Sequence, residues 1–92
     1  MGNKRAVITV VGKDTVGIIA KICTYLAEEN INILDISQTI LQEFFNMVMI
    51  VDISAIRGDF VETAENLEKL GEDMGLVVHI QREEIFDMMH RL

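Results

Sequence analysis

Residues 10–40 read VVGKDTVGIIAKICTYLAEENINILDISQTI, and two changes of hydrophobic period within them decide the fold. Val10 and Val11 close a β-branched run, RAVITVV, that starts at Arg5 and stops at Gly12, the signature of a strand. Its apolar residues fall on both faces, as in a central strand of a covered sheet. From Thr15 the period becomes helical. Ile18, Ile19, Ile22, Cys23 and Leu26 recur at steps of three and four, with Lys21, Thr24, Glu28 and Glu29 opposite. Asp14 or Thr15 can cap the first turn and Asn30 can close the last in a left-handed conformation, so a helix is expected over 16–29. The period returns to two over 31–41, where Asp35, Ser37, Gln38 and Thr39 alternate against Ile36 and Ile40. Polar residues inside a strand place it at a sheet edge.

Working outward, Gln42-Glu43 makes a tight turn into a strand over 44–54, and the two strands form a hairpin. Phe45, Met47, Met49, Val51 and Ile53 share one face of the second strand, and Val48 and Ile50 make the other face apolar too. After Arg57-Gly58, Asp59 with Glu62 resembles a capping box for a helix over 60–73. Its stripe is Phe60, Ala64, Leu67, Leu70 and Met74, and Gly75 stops it. LVVHIQ (76–81) is a last strand, and 83–92 reads as a short amphipathic C-terminal helix. The order β-α-β-β-α-β predicts an α+β, ferredoxin-like sandwich: a four-stranded antiparallel sheet with two helices on one face. Its central strands should be the first and third, the two most apolar. The expected organisation is one domain over 1–92, with its core in 4–82. The face without helices should then be an interface, which implies a homodimer.

Composition narrows the function. At 92 residues with 50% apolar and 25% charged, the chain is an ordinary globular domain. A net charge of −7 repels nucleic acid and anionic membranes, so neither is an expected partner. No apolar run suits a signal segment or a membrane span, and Ala6 stands where a myristoylation motif wants Ser or Thr, so the expected location is cytoplasmic. The one cysteine, Cys23, falls at an apolar helical position and reads as packing.

The turn Gly12-Lys13-Asp14-Thr15-Val16-Gly17 joins the central strand to a helix start, where free backbone N–H groups and the helix dipole favour an anion. Gly17 inside a first helical turn would cost about 1 kcal/mol against Ala, so something other than helix stability favours it. The plain alternative is a capped turn with incidental glycines. The spacing Gly-x4-Gly is that of a P-loop, but Ile18-Ile19 replaces the Lys-Ser/Thr that must follow, which rejects a nucleoside triphosphate.

These residues resemble the first half of an ACT domain, the small regulatory module that binds amino acids. The pattern is a strand, D/N-x-x-G-hydrophobic (Asp14 to Ile18), a helix ending in acidic residues, and Asn32-Ile33. NILDIS followed by Gln38 is similar to stand-alone ACT proteins related to the glycine-cleavage-system transcriptional repressor. The likeness covers 4–82 in layout and is most specific over 7–41. It departs at Val16, where typical members have proline. The resemblance implies that Asp14 contacts the amino group of a bound amino acid and that Gly17 and Ile18 offer backbone N–H groups to its carboxylate. It also implies that Asn32 reaches a ligand across a dimer interface. The expected ligand set is therefore Gly12, Lys13, Asp14, Thr15, Val16, Gly17, Ile18 and Asn32, with a small-molecule amino acid and a separate protein as partners. Plain N-capping by Asp14 and a strand-entry turn at Asn32 are the alternatives.

No catalytic set is expected. His79 and His90 have no Cys or His at metal spacing, and Glu28-Glu29 and Glu83-Glu84 read as solvated helix ends, so no metal or cofactor is expected. An acylphosphatase-like enzyme on this topology needs an arginine in the turn, which holds only Lys13. An RNA binder needs exposed aromatics on the first strand and a basic surface. A ligand-free interaction module on the same fold is the main alternative.

Overall fold

The computed structural model describes residues 4–13 and 16–83, with Leu41 through its backbone alone. Asp14, Thr15 and all of the expected C-terminal helix beyond Glu83 lie outside the described residues. The elements are β1 (Arg5–Lys13), α1 (Ile18–Glu28), β2 (Asn32–Leu41), β3 (Phe44–Asp52), α2 (Phe60–Asp73) and β4 (Leu76–Arg82). The sheet order β2-β3-β1-β4 is antiparallel throughout, with β1 and β3 central as their sequences require. This is the ferredoxin-like βαββαβ arrangement.

The core lies between the sheet and its helices. Ala6, Ile8 and Val10 of β1, Phe45, Met47, Met49 and Val51 of β3, and Leu76, Val78 and Ile80 of β4 are all buried. Ile18, Ile22 and Leu26 of α1 and Leu67 of α2 close over them. Burying a side chain of this size removes roughly 1.5–3 kcal/mol of unfavourable hydration, so this alternation fixes the register. Cys23 packs half-buried against the same cluster, as its position implies.

Local signals end the helices. Asn30 has φ 62°, and the N–H groups of Asn30 and Ile31 donate to the carbonyls of Ala27 (3.1 Å) and Leu26 (2.9 Å), a Schellman closure of α1. Gly75, with φ 76°, ends α2, and its N–H donates to the Glu72 carbonyl at 3.0 Å. The Nδ2 of Asn30 also donates to Ala55 O at 3.0 Å, fastening the end of α1 to the β3–α2 connection.

Two features differ from the sequence expectation. The strand 31–41 is not uniform: the register shifts between Ile33 and Asp35, leaving Leu34 as a bulged residue. The bulge puts Ile33 on the same face as Ile36, although they are three positions apart and would otherwise face opposite ways. In α2, Gly71 sits where a Cβ would come within 2.3 Å of Val78 Cγ2, so a glycine lets the helix lie close on β4. It is buried, whereas Phe60, Ala64, Leu70 and Met74 of the expected stripe are only partly so.

Candidate ligand-binding site

β1 delivers Gly12 and Lys13 to the end of the sheet that also holds Phe44, Phe45 and Leu76, their register partners. The chain then turns back so that α1 crosses the core face. α1 starts at Ile18 rather than at the expected residue 16, because Gly17 is not helical. Gly17 occupies the N-cap with φ 88° and ψ 6°, a left-handed conformation that side chains with a Cβ adopt at a cost. Among the described residues a Cβ placed there would meet nothing within 4 Å, so the glycine answers a backbone need rather than a packing one. Its carbonyl accepts the first intrahelical bond, from Lys21 N at 3.0 Å.

Gly17 has no side chain with which to cap α1, and no acidic residue stands in the first turn. Ile18 is buried at 2% exposure and anchors the turn, whereas Val16 projects 98% exposed beside it. A valine at the tip of a turn gains nothing from its own chain there. Gly12 has a packing role of its own: an added Cβ would come within 2.5 Å of Leu76 Cδ2 and 3.3 Å of the Gly75 carbonyl oxygen. It lets β1 and the start of β4 approach closely.

Asn32 is not part of this cluster within one chain. It pairs with Asp52, which in turn pairs with Arg5, at the opposite end of the sheet. β2 has ten residues, which span about 30 Å at the usual strand rise, so Asn32 and the turn lie at opposite poles. At the Asn32 end, Asp52 accepts hydrogen bonds from Ser54 Oγ (2.6 Å) and Ser54 N (2.9 Å). Those bonds, aided by Arg5, hold its carboxyl below the ordinary carboxylate value.

Sequence reasoning did not anticipate a groove of about 320 Å³ along α1, lined by Ala20, Lys21, Thr24, Tyr25, Glu28 and Leu70. Tyr25 at its floor donates to the Thr63 carbonyl at 3.5 Å, and partial burial raises its phenol pKa. Amphipathic periodicity could not reveal this groove, because it forms between two helices. Among the described residues, no group of three or more His, Cys, Asp or Glu could hold a metal ion. His79 Nδ1 lies 3.6 Å from Glu68 Oε2. Nor is any helix among them long and apolar enough to cross a membrane.

The family model for the ACT domain matches residues 4–81. The chain belongs to the ACT domain family. It is 58% identical to a UPF0237 protein of Bifidobacterium longum over 88 residues, covering 96% of this chain and 98% of that one. A UPF0237 protein of Methanocaldococcus jannaschii is 51% identical over 88 residues, covering 96% and 98%. Among solved structures, an ACT domain protein from Streptococcus pneumoniae superposes with a TM-score of 0.80 at 40% identity, covering 94% of this chain and 97% of that one. A protein assigned as a glycine cleavage system transcriptional repressor shares the fold, with a TM-score of 0.72 at 24% identity over 89% of this chain and 47% of that one.

Proposed function

We propose that this ACT domain is a non-catalytic regulatory module that senses an amino acid or a similar small metabolite at the β1–α1 turn. The observation that carries the reading is Gly17: a left-handed glycine at an N-cap without a side-chain cap, with none of the described residues within 4 Å of where a Cβ would stand. Backbone N–H groups there suit a carboxylate, and Asp14 is the natural partner for an ammonium group. Lys13, Val16 and Ile18 would flank the ligand, and Thr15 is expected to join them.

The separation of Asn32 from the turn supports a site shared between two copies. An antiparallel pairing of β2 with its own copy would carry the second Asn32 to the turn's end of the sheet. β2 suits this pairing: residues 34–40 are all exposed, and ISQTIL (36–41) has no charge, proline or glycine to guard the edge. A two-fold axis at Gln38 sets Ile36 against Ile40 of the copy and Ser37 against Thr39. These two isoleucines stand 40% and 55% exposed in the single chain. A ligand bridging the copies would favour one mutual arrangement, and a separate protein would read that arrangement.

A calorimetric screen of the amino acids tests this. At least one should bind, Asp14→Ala should abolish its heat, and Asn32→Ala should weaken it by about tenfold, the worth of one hydrogen bond to a charged group. Silence across the whole set from a folded dimer favours the ligand-free interaction module. A monomer by light scattering at micromolar concentration sinks the shared site.

A further inference from the structure

Val7 and Val11 form a natural control within one strand. Both lie on the face of β1 away from the helices, on either side of Thr9. Each has one partner in β3 and one in β4: Ile50 and Gln81 for Val7, Asn46 and Val77 for Val11. Each also has a long basic side chain two positions away, Arg5 or Lys13. Neighbours so similar in size should shield the two valines alike. Yet Val11 is 44% exposed and Val7 only 5%. Their surroundings differ in the same sense: Ile50, Asp52 and Gln81 are half-buried, whereas Asn46, Val48 and Val77 are exposed. The sheet's own side chains do not account for this, so the Arg5 end of the face has a cover.

The chain's own continuation fits that place. β4 ends at Arg82, the partner of Ala6, so the chain leaves the sheet beside Val7. Arg82 turns to the helix side, with its guanidinium 5.0 Å from the centre of the Phe60 ring. Glu83 turns to the other side, where its Oε1 lies 3.2 Å from Arg5 Nε, and it is already helical. In the sequence that follows, Ile85, Met88, Met89 and Leu92 recur at helical spacing. Residues 1–3 start from the same end of the sheet but offer a single apolar side chain, Met1.

The dimensions agree. A helix over 83–92 is about 15 Å long. Crossing the strands from β4, it spans β1 and β3 and reaches β2, three strand spacings or about 14 Å away. Val11 lies about 13 Å along β1 from Val7, outside the footprint of a helix about 10 Å wide. One short helix over Val7 thus covers the shielded end of the face and leaves the exposed end bare.

We propose that residues 84–92 are an amphipathic strap, folded in cis over the helix-free face with its apolar stripe seated on Val7 and Ile50. The face that the sequence marks for an interface is then partly satisfied within one chain. The strap blocks flat stacking of two sheets at this end and leaves the β2 edge clear. The inference does not depend on ligand binding.

Two measurements on the full chain test it. The first is a double-mutant cycle, read by denaturant unfolding, between Val7→Ala and a stripe made polar by Met88→Ser with Met89→Ser. With the natural strap Val7→Ala should raise the unfolding constant about tenfold, and with the polar strap no more than about threefold. Val11→Ala should have the same small effect in both backgrounds. The second is disulfide trapping in a Cys23→Ser background, with Val7→Cys paired in turn with Ile85→Cys, Met88→Cys and Met89→Cys. At least one pair should close under mild oxidation without a gain in mass, and the same positions paired with Val11→Cys should stay open. The proposal is overturned if Val7→Ala has the same effect with either strap, or if none of the three cysteines closes on Val7→Cys. A disulfide that joins two chains also overturns it, because the strap then covers the face of another copy. Closure by Asn3→Cys in place of the strap positions would give the face to the N-terminal residues instead. Neither measurement involves an amino acid, so a failure here leaves the ligand reading standing, and the reverse.

Discussion

α2 begins at Asp59, an extended residue whose side chain accepts from Glu62 N at 3.4 Å, and Glu62 adds a carboxylate to the first turn. α1 begins at a left-handed glycine with no cap side chain and no acid in its first turn. The two helices have the same place in the two β-α-β halves and pack on the same sheet, so packing does not explain the contrast. Chemistry does. The β3–α2 connection satisfies its own N–H groups with its own carboxylates, Asp59 at the helix and Asp52 in the strand end before it. α2 is therefore complete as it stands. The described part of the β1–α1 connection supplies no such group, and the proposed ligand site rests on that difference.

Substitutions that make the two starts alike should break the contrast, the largest first. Gly17→Ala forces a Cβ into φ 88° and should cost about 1–2 kcal/mol in denaturant unfolding, although it clashes with nothing. A loss well under that would mean that the turn relaxes out of the left-handed region. Next, Asp59→Ala should cost about 1 kcal/mol, the usual worth of an N-cap, and should leave any amino-acid binding untouched. Ala20→Glu gives α1 the acid that α2 already has. It should stabilise the protein by about 0.3–1 kcal/mol in the same assay while weakening a carboxylate ligand, so stability and binding should move in opposite directions. If both rise, the start of α1 is not the anion site.

The smallest effect concerns pH. The folded pKa of Asp52 is depressed by the bonds from Ser54, so its contribution is present above the ordinary carboxylate pKa of 3.8. It is lost as pH falls through the folded value. Ser54→Ala should move the Asp52 titration, followed by NMR, back up toward that value, with little change in stability because the group is exposed.

Signals confined to a few neighbours were legible in the sequence. Asn30, Asp59 and Gly75 were read as helix ends and are helix ends, because a cap is a contract among residues within one turn. The central place of β1 and β3 was equally legible, since only strands covered by neighbours on both sides carry so continuous an apolar run. Gly17 was placed correctly but misread: as a helix-interior residue it looked costly, whereas at φ 88° it is the residue that the backbone demands. Propensity arguments fail there because they presuppose the boundary, and the boundary lies two residues later.

The amino-acid sequence by itself determined the elements, their order and the family, because period, caps and turn residues act over distances shorter than an element. Tertiary structure alone decided what depends on residues far apart in the chain. Gly12 and Gly71 are glycines because β4 comes within van der Waals range of each, and Leu34 bulges to bring Ile33 and Ile36 to one face. Asn32 and the β1–α1 turn share a stretch of family pattern, yet the sheet sends them to opposite ends. A strand runs its full length before the chain can turn, so residues close in a motif can be far apart in space.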